Sequence, residues 1–319
     1  MPLLEVRDLR VQFGPIHILR GIDFDIDAGE TLGVVGESGC GKSMTGFALM
    51  GMVPSPGLVT GSIKLEGREL LGQRERDWRD VRGQELALVM QDPFTSLNPM
   101  MRIGAQIAEA LRLHHSMKPK AAWDRSVELL DQVGVPAPES SARKFPHQMS
   151  GGQRQRVVIA MAFAAKPKIL IADEPTTALD VTLQAQILRL LRDLQSDTGT
   201  AVMLISHDIG AIGSVAHRIA VFYAGRIVET GSAVAVLRDP QMPYTQALLG
   251  ALPTVGRERL EAIPGSPPNL ASLPVGCAFG PRCPHRFDRC TEEPPLENAG
   301  EAHQSACWLA VAPPPAPRP

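Results

Sequence analysis

The chain has 319 residues, 44% of them hydrophobic, enough to bury a substantial core in one large or two modest domains. Its 32 basic and 34 acidic residues leave a net charge of −2, so it has no polyanion-binding footprint and nucleic acid is not an expected partner. The N-terminus, Met-Pro-Leu-Leu-Glu-Val-Arg-Asp, has no signal-peptide core, and apolar runs such as 157–165 fall far short of the roughly 20 residues that span a bilayer. A cytosolic chain is expected, attached to any membrane through partners. In that reducing compartment the five cysteines, four of them near the C-terminus, are not expected to form disulfides.

Strands with turns are predicted over the first 90 residues, at 3–6, 21–26, 31–35 and 62–65. Within them, residues 36–43 read Gly-Glu-Ser-Gly-Cys-Gly-Lys-Ser, the full G-x-x-x-x-G-K-[ST] pattern. A strand-like run precedes it and a helix start follows from Lys42. Gly36, Gly39 and Gly41 let the turn curl, so that the N–H groups of the loop, with Glu37, Ser38 and Cys40 between the glycines, point at phosphate oxygens. The helix N-terminus adds the positive end of its dipole. Lys42 is expected to reach the β- and γ-phosphates and the Ser43 hydroxyl to hold Mg²⁺. Cys40 reads as a small filler.

Next in the chain, Gln91 follows the apolar run 86–90, and a Pro-punctuated loop covers 92–101. Apolar spacing turns helical at 104–113 and 121–133, marking a helical subdomain over about 92–155. Ser150, Gly151, Gly152 and Gln153 open a further helix, a second anion-binding N-terminus. One ATP does not need two such sites from one chain, so this loop is expected to serve an ATP held by a partner's phosphate loop. Residues 169–174, Ile-Leu-Ile-Ala-Asp-Glu, form an apolar strand ending in two carboxylates. Asp173 is placed to hold Mg²⁺ through water, and Glu174 to face the γ-phosphate as general base toward the attacking water. A helix at 183–194, a strand to Ile205, His207 and a hairpin at 220–228 complete the core. Alternating strands and helices predict an α/β fold, a largely parallel sheet flanked by an antiparallel layer.

The ordered set Phe13, 36–43, Gln91, Ser150 to Gln153, Asp173 and Glu174, Ala178-Leu-Asp180 and His207 resembles the ATP-binding subunits of ATP-binding cassette (ABC) transporters over about residues 3–232. The resemblance implies the ABC-type nucleotide-binding domain, a RecA-like core with an antiparallel β layer and a helical subdomain. It implies that Phe13 stacks on adenine and that Gln91 contacts Mg²⁺ and couples to the membrane partner, through a contact expected at 92–101. Ser150 to Gln153 would bind ATP across a head-to-tail dimer, with Asp180 at its seam, and His207 would touch the γ-phosphate. Met149 departs from the family's usual Leu, a nearly volume-conserving change. A soluble ABC-type ATPase acting on DNA or ribosomes fits less well, since 44–149 has room only for the ordinary helical subdomain and the chain carries one cassette. A sensor that uses ATP only as a ligand would not need Glu174 and His207.

Beyond about residue 235 proline becomes frequent. The stretches 239–249 and 263–270 resemble the C-terminal region of the oligopeptide/dipeptide-importer ATPases, which implies peptide cargo, with nickel chelates or related small solutes as the alternative. The family implies a heterodimer with a second homologous ATPase, two transmembrane permease subunits and, indirectly, a solute-binding protein. It also implies a peripheral place on the cytoplasmic side of the inner membrane. Domains are accordingly expected at 1–235 (ATPase) and 236–312 (C-terminal region), with a disordered tail at 313–319. Cys277, Cys283, Cys290 and Cys307 leave five, six and sixteen residues between successive thiols. Four thiolates ligate either zinc or an iron–sulfur cluster. Zinc favours tight Cys-x₂₋₄-Cys knuckles and none occurs, so a four-iron four-sulfur (4Fe-4S) cluster of structural role is the leading expectation. Zinc, with His285 or His303 available to a mixed site, and unligated thiols stay open.

Overall fold

The computed structural model describes residues 1–177, 179–252 and 262–311. Ala178 and the tail at 313–319, expected to be disordered, lie outside the described residues. The chain begins with β1 (Leu4–Phe13), β2 (Ile16–Ile26), β3 (Thr31–Val35), α1 (Lys42–Leu49), β4 (Leu58–Leu65), β5 (Arg68–Glu69), α2 (Glu75–Val81) and β6 (Leu86–Val89). A helical stretch follows: α3 (Pro93–Ser96), α4 (Ile103–His115), α5 (Pro119–Gln132), α6 (Pro138–Ala142) and α7 (Gly151–Ala164). Then come β7 (Ile169–Asp173), α8 (Val181–Thr198), β8 (Ala201–Ser206), α9 (Ile209–Gly213), β9 (Arg218–Tyr223) and β10 (Arg226–Ser232). The last elements are α10 (Ala233–Arg238), α11 (Pro243–Gly250), β11 (Glu297–Gly300), β12 (His303–Ser305) and α12 (Trp308–Val311). Two compact units emerge, one of Met1–Ile26, Thr31–Leu71 and Ser206–Pro319, the other of Asp27–Glu30 and Gly72–Ile205.

In the first unit β2, β1, β4 and β5 form an antiparallel sheet in that order. β1 buries Leu4 and Val6, then Leu9 and Val11. The period of two slips by one residue between the pairs, and the register with β2 and β4 shifts there. Asp8 takes up the extra residue at φ 44, with its amide donating to Asp23 Oδ1 at 2.9 Å. This bulge explains why the sequence discloses only 3–6 as strand while the strand runs for ten residues. β3 is buried throughout and runs parallel to β9, which pairs antiparallel with β10. A continuous apolar run is what a strand covered on both faces requires.

The second unit holds the parallel set β6, β7 and β8, with β7 in the middle. α4, α5, α6 and α7 pack on one another as its helical part. α2 lies where strands and turns are predicted, because its apolar content is only Trp78 and Val81, three residues apart and both buried. The mixed α/β fold with an antiparallel layer and a helical part is the one expected. Among the described residues no helix is long and apolar enough to cross a membrane.

The C-terminal region is built into the first unit by packing. β12 extends the sheet antiparallel to β10, and β11 follows it. Phe279 (1% exposed) lies 5.4 Å from the rings of both Tyr223 and Tyr244, which are themselves 4.5 Å apart. This aromatic cluster anchors the region by packing, independently of the structural role expected of a metal there. Phe279→Ala should destabilise the chain by about 3–5 kcal/mol in urea unfolding, the range for a buried aromatic. A loss below about 1 kcal/mol would mean that the cluster is not what anchors the region.

Candidate nucleotide site

The phosphate-loop residues join β3 to α1 by a backbone that only glycine tolerates at two points. Gly36 has φ 154, and a Cβ there would stand 2.3 Å from the Phe222 carbonyl oxygen. Gly41, at φ 109, precedes α1, and no side chain caps this helix N-terminus, the kind of helix end at which anions bind. Lys42 is buried, and its Nζ donates to the carbonyl oxygens of Gly36 at 2.8 Å and Glu37 at 3.0 Å. The ammonium thus lies folded over the loop that it would share with phosphate oxygens. Ser43 follows it in the first turn of α1, half-buried. Cys40 is buried, and burial pushes its thiol up, in keeping with a filler.

Two side chains that the sequence reading missed fix this loop from outside. The Glu37 amide donates to Tyr244 Oη at 2.9 Å. The Glu37 carboxylate takes a two-pronged pair from Arg282, Nη1 to Oε2 at 2.6 Å and Nη2 to Oε1 at 2.9 Å. That bond to Glu37 holds the Arg282 guanidinium firmly charged, and the fork geometry suits arginine alone. An unmatched Glu37 inside an anion-binding loop was the available signal, but nothing in the sequence says which distant arginine answers it. Ser38, Gly39 and Cys40 line a cavity of about 300 Å³ together with Ile16, Ile18, Tyr223 and residues 267–270. Phe13, at the end of β1, pairs with Ile16, which lines this cavity, and sets its ring against Gly57. His207 is exposed at the turn between β8 and α9.

In the second unit Asp173 ends β7, buried, and Glu174 turns the chain at φ 46, a left-handed conformation uncommon for a side chain of its size. Its amide donates to the Ile205 carbonyl at 2.9 Å, which holds the turn against β8. Gln91 Nε2 donates to Glu174 Oε2 at 3.2 Å, and Thr177 Oγ1 donates to the same oxygen at 2.7 Å. The structure brings Gln91 and Glu174 together, and Thr177 is a partner that the sequence reading missed. Ser150 caps α7: its Oγ accepts from the Gln153 amide at 3.3 Å, while Gln153 Oε1 accepts from the Ser150 amide at 3.2 Å. This reciprocal box shapes the helix entrance that includes Gly151 and Gly152. Asp180 caps α8, accepting from the Leu183 amide at 2.9 Å.

Cys277, Cys283, Cys290 and Cys307 all line one small cavity, with His285 beside them. Burial pushes the Cys277 thiol up to about 11 and also raises Cys283 and Cys307. Among the described residues no group of three or more His, Cys, Asp or Glu is arranged to hold a metal ion.

Residues 19–177 match the family model of the ABC transporters, and residues 228–290 match that of the oligopeptide/dipeptide transporter C-terminal region. Among solved structures, cbiO1 of Clostridium perfringens, part of the ABC transporter complex cbiONQ, superposes with a TM-score of 0.64 at 26% identity, covering 75% of this chain and 91% of its own. The ATP-binding cassette MJ0796, a post-hydrolysis dimer bound to ADP and phosphate, gives 0.64 at 25% identity, covering 72% and 98%. Fold and motifs define an ATP-binding cassette ATPase. The oligopeptide transport ATP-binding protein OppD of Bacillus subtilis is 49% identical over 96% of this chain and 88% of the relative. OppD of Salmonella typhimurium is 47% identical over 97% and 94%, and the dipeptide transport protein DppD of Escherichia coli 46% over 96% and 96%. The chain belongs to the oligopeptide/dipeptide branch of the ABC transporter ATP-binding family.

Gly36→Ala should abolish ATP binding measured by titration calorimetry, because a Cβ 2.3 Å from the Phe222 carbonyl forces the loop out of shape. Affinity within about twofold of the unsubstituted chain, a shift under about 0.5 kcal/mol, would contradict this reading of the loop.

Proposed function

We propose that the chain is the ATP-hydrolysing subunit that powers import of di- or oligopeptides through a membrane permease complex. The observation that carries this reading is likeness along nearly the whole chain, C-terminal region included, to oligopeptide and dipeptide transport ATP-binding proteins. Nickel or another small solute is the alternative cargo. The ATPase domain is assigned to 1–235 and the C-terminal region to 236–312.

ATP would sit with its phosphates on Gly36 to Ser43, its Mg²⁺ held by Ser43, Gln91 and Asp173, and its adenine against Phe13. Lys42 would exchange its loop carbonyls for β- and γ-phosphate oxygens, gaining a charge-assisted contact. Glu174 takes the proton of the attacking water, and the two donors on its Oε2 support this role by fixing how the carboxylate is turned. His207 stabilises the γ-phosphate. Ser150 to Gln153 complete the site of an opposing subunit, and Asp180 lies at that seam. Glu174→Gln should keep ATP binding and lower hydrolysis by about 10²- to 10⁴-fold. Turnover near that of the unsubstituted chain would remove Glu174 from the role of base.

The opposing subunit is assigned as a second, homologous ATPase, and the pair as binding two permeases on the cytoplasmic side of the inner membrane, with a solute-binding protein acting through them. The loop 92–101 suits the permease contact. Phe94 and Met100 are 64% and 84% exposed there, while Gln106 pins the loop by bonds to the Asn98 amide and to the Asn98 and Met101 carbonyls. Co-purification of the assembled transporter should yield equal amounts of two different ATPases. An active transporter with two copies of this chain and no second ATPase would overturn the heterodimer.

The four cysteines are assigned to a 4Fe-4S cluster, with zinc as the alternative. What supports it is the donor set, four thiols facing one cavity in which burial disfavours thiolates unless a cation offsets their charge. Such a group would supply structural cross-links to Cys277, Cys283, Cys290 and Cys307. Anaerobically purified protein should contain about four iron and four sulfide per chain, with visible absorption. Stoichiometric zinc in a colourless protein would replace the cluster, and neither metal would remove the site.

A further inference from the structure

Arg282 makes more contacts than a surface ion pair explains. Its guanidinium is nearly enclosed, the side chain 5% exposed, and it meets three separate parts of the first unit. Nη1 and Nη2 grip the Glu37 carboxylate in the phosphate loop. Nη1 also donates to Tyr223 Oη at 3.3 Å, at the end of β9. Nε donates to the Pro264 carbonyl at 2.7 Å, at the head of the segment that continues through 267–270. An Asx turn fixes that segment further on, the Ala271 amide donating to Asn269 Oδ1 at 2.9 Å. Arg282 therefore ties the phosphate loop and the 264–270 segment to one planar group.

Between these two tied parts lies the cavity of about 300 Å³. Ser38, Gly39 and Cys40 form one side, the apolar Ile16 and Ile18 line it, and Pro267, Pro268, Asn269 and Leu270 form the other side. Its size reaches the lower end of the range for small-molecule sites. A nucleotide whose phosphates lie on the N–H groups of this loop has its ribose and base just beyond the loop, and this cavity opens directly on loop residues.

We propose that residues 267–270 of the C-terminal region form a wall of the nucleoside half of the ATP site, and that Arg282 is the positioning residue that holds this wall to the phosphate loop. The inference rests on the reading of 36–43 as an ATP site. It gives the C-terminal region a part in nucleotide affinity, which neither matched family description assigns. Contacts to base and ribose are the same before and during hydrolysis, so loss of the wall raises KM with little change in kcat.

Titration calorimetry of the full-length chain with ADP and with inorganic pyrophosphate separates the two halves of the site. Leu270→Ala should weaken ADP about tenfold, within the usual effect of removing a packed apolar contact, and leave pyrophosphate unchanged. Arg282→Ala should weaken ADP at least as much, and Arg282→Lys, which keeps the charge but not the fork, should recover only part of the loss. ATPase assays should show the raised KM at nearly constant kcat. Leu270→Ala lies away from the ion pair, so the test survives if Arg282→Ala fails to fold. ADP affinity unchanged in Leu270→Ala would overturn the proposal, as would tighter binding, which would make the segment an obstruction. An unsubstituted chain that binds neither ligand would instead overturn the ATP-site reading.

Discussion

The conformation of the loop from Gly36 to Ser43 is the constraint on which the rest of the first unit depends. Gly36, Gly39 and Gly41 have φ values of 154, 79 and 109, so the backbone runs where a side chain is either strained or in collision. A chain bent this way is held by ties from outside its own backbone, among them the Glu37 amide on Tyr244 Oη. Lys42 folds back on the Gly36 and Glu37 carbonyls from inside, while Tyr244 and Arg282 hold Glu37 from outside. An anion therefore meets donors already oriented, which saves the cost of organising them on binding. The aromatic cluster of Tyr223, Tyr244 and Phe279 carries the outer ties, so the C-terminal region supports the loop mechanically as well as covering its flank.

The second unit solves a similar problem for a carboxylate. Glu174 leaves β7 at φ 46, and the turn is kept by its amide on Ile205 and by two side-chain donors on Oε2. Uncommon backbone geometry at a residue with assigned chemistry is where strain is usually stored, because the surroundings determine the conformation that the residue would not choose. Ser150 and Asp180 are less demanding: each is a helix cap whose own side chain satisfies a first-turn amide.

Much of this was legible in the sequence where the signal is local. The phosphate loop, the strands β3 and β7 and the helix that opens at Ser150 follow from short patterns whose physical meaning is fixed by spacing, whereas the contact of Gln91 with Glu174 spans 83 positions and appears only in the fold. β1 was half hidden because the bulge at Asp8 breaks its alternation, and α2 because two apolar residues make a faint helical stripe. Glu37 and Arg282 were beyond reach, being 245 positions apart and paired only once the fold exists. Ile16 and Ile18, outside every strand predicted from the sequence, carry no signal of their own until the cavity beside the loop is seen. The cysteines occupy a middle position: their spacing pointed to shared chemistry, and four of them do face one cavity, though not in an arrangement suited to a single ion.

The proposed site has the phosphate loop as the anchor of ATP, with its nucleoside half reaching the C-terminal region. A structure of the chain with ATP and Mg²⁺ tests that most directly. It should show Lys42 Nζ moved from the Gly36 and Glu37 carbonyls onto β- and γ-phosphate oxygens, and the nucleoside running from Phe13 into the cavity bounded by Ile16, Ile18 and residues 267–270. A nucleotide bound elsewhere, or Lys42 still on those carbonyls beside a bound triphosphate, would contradict it.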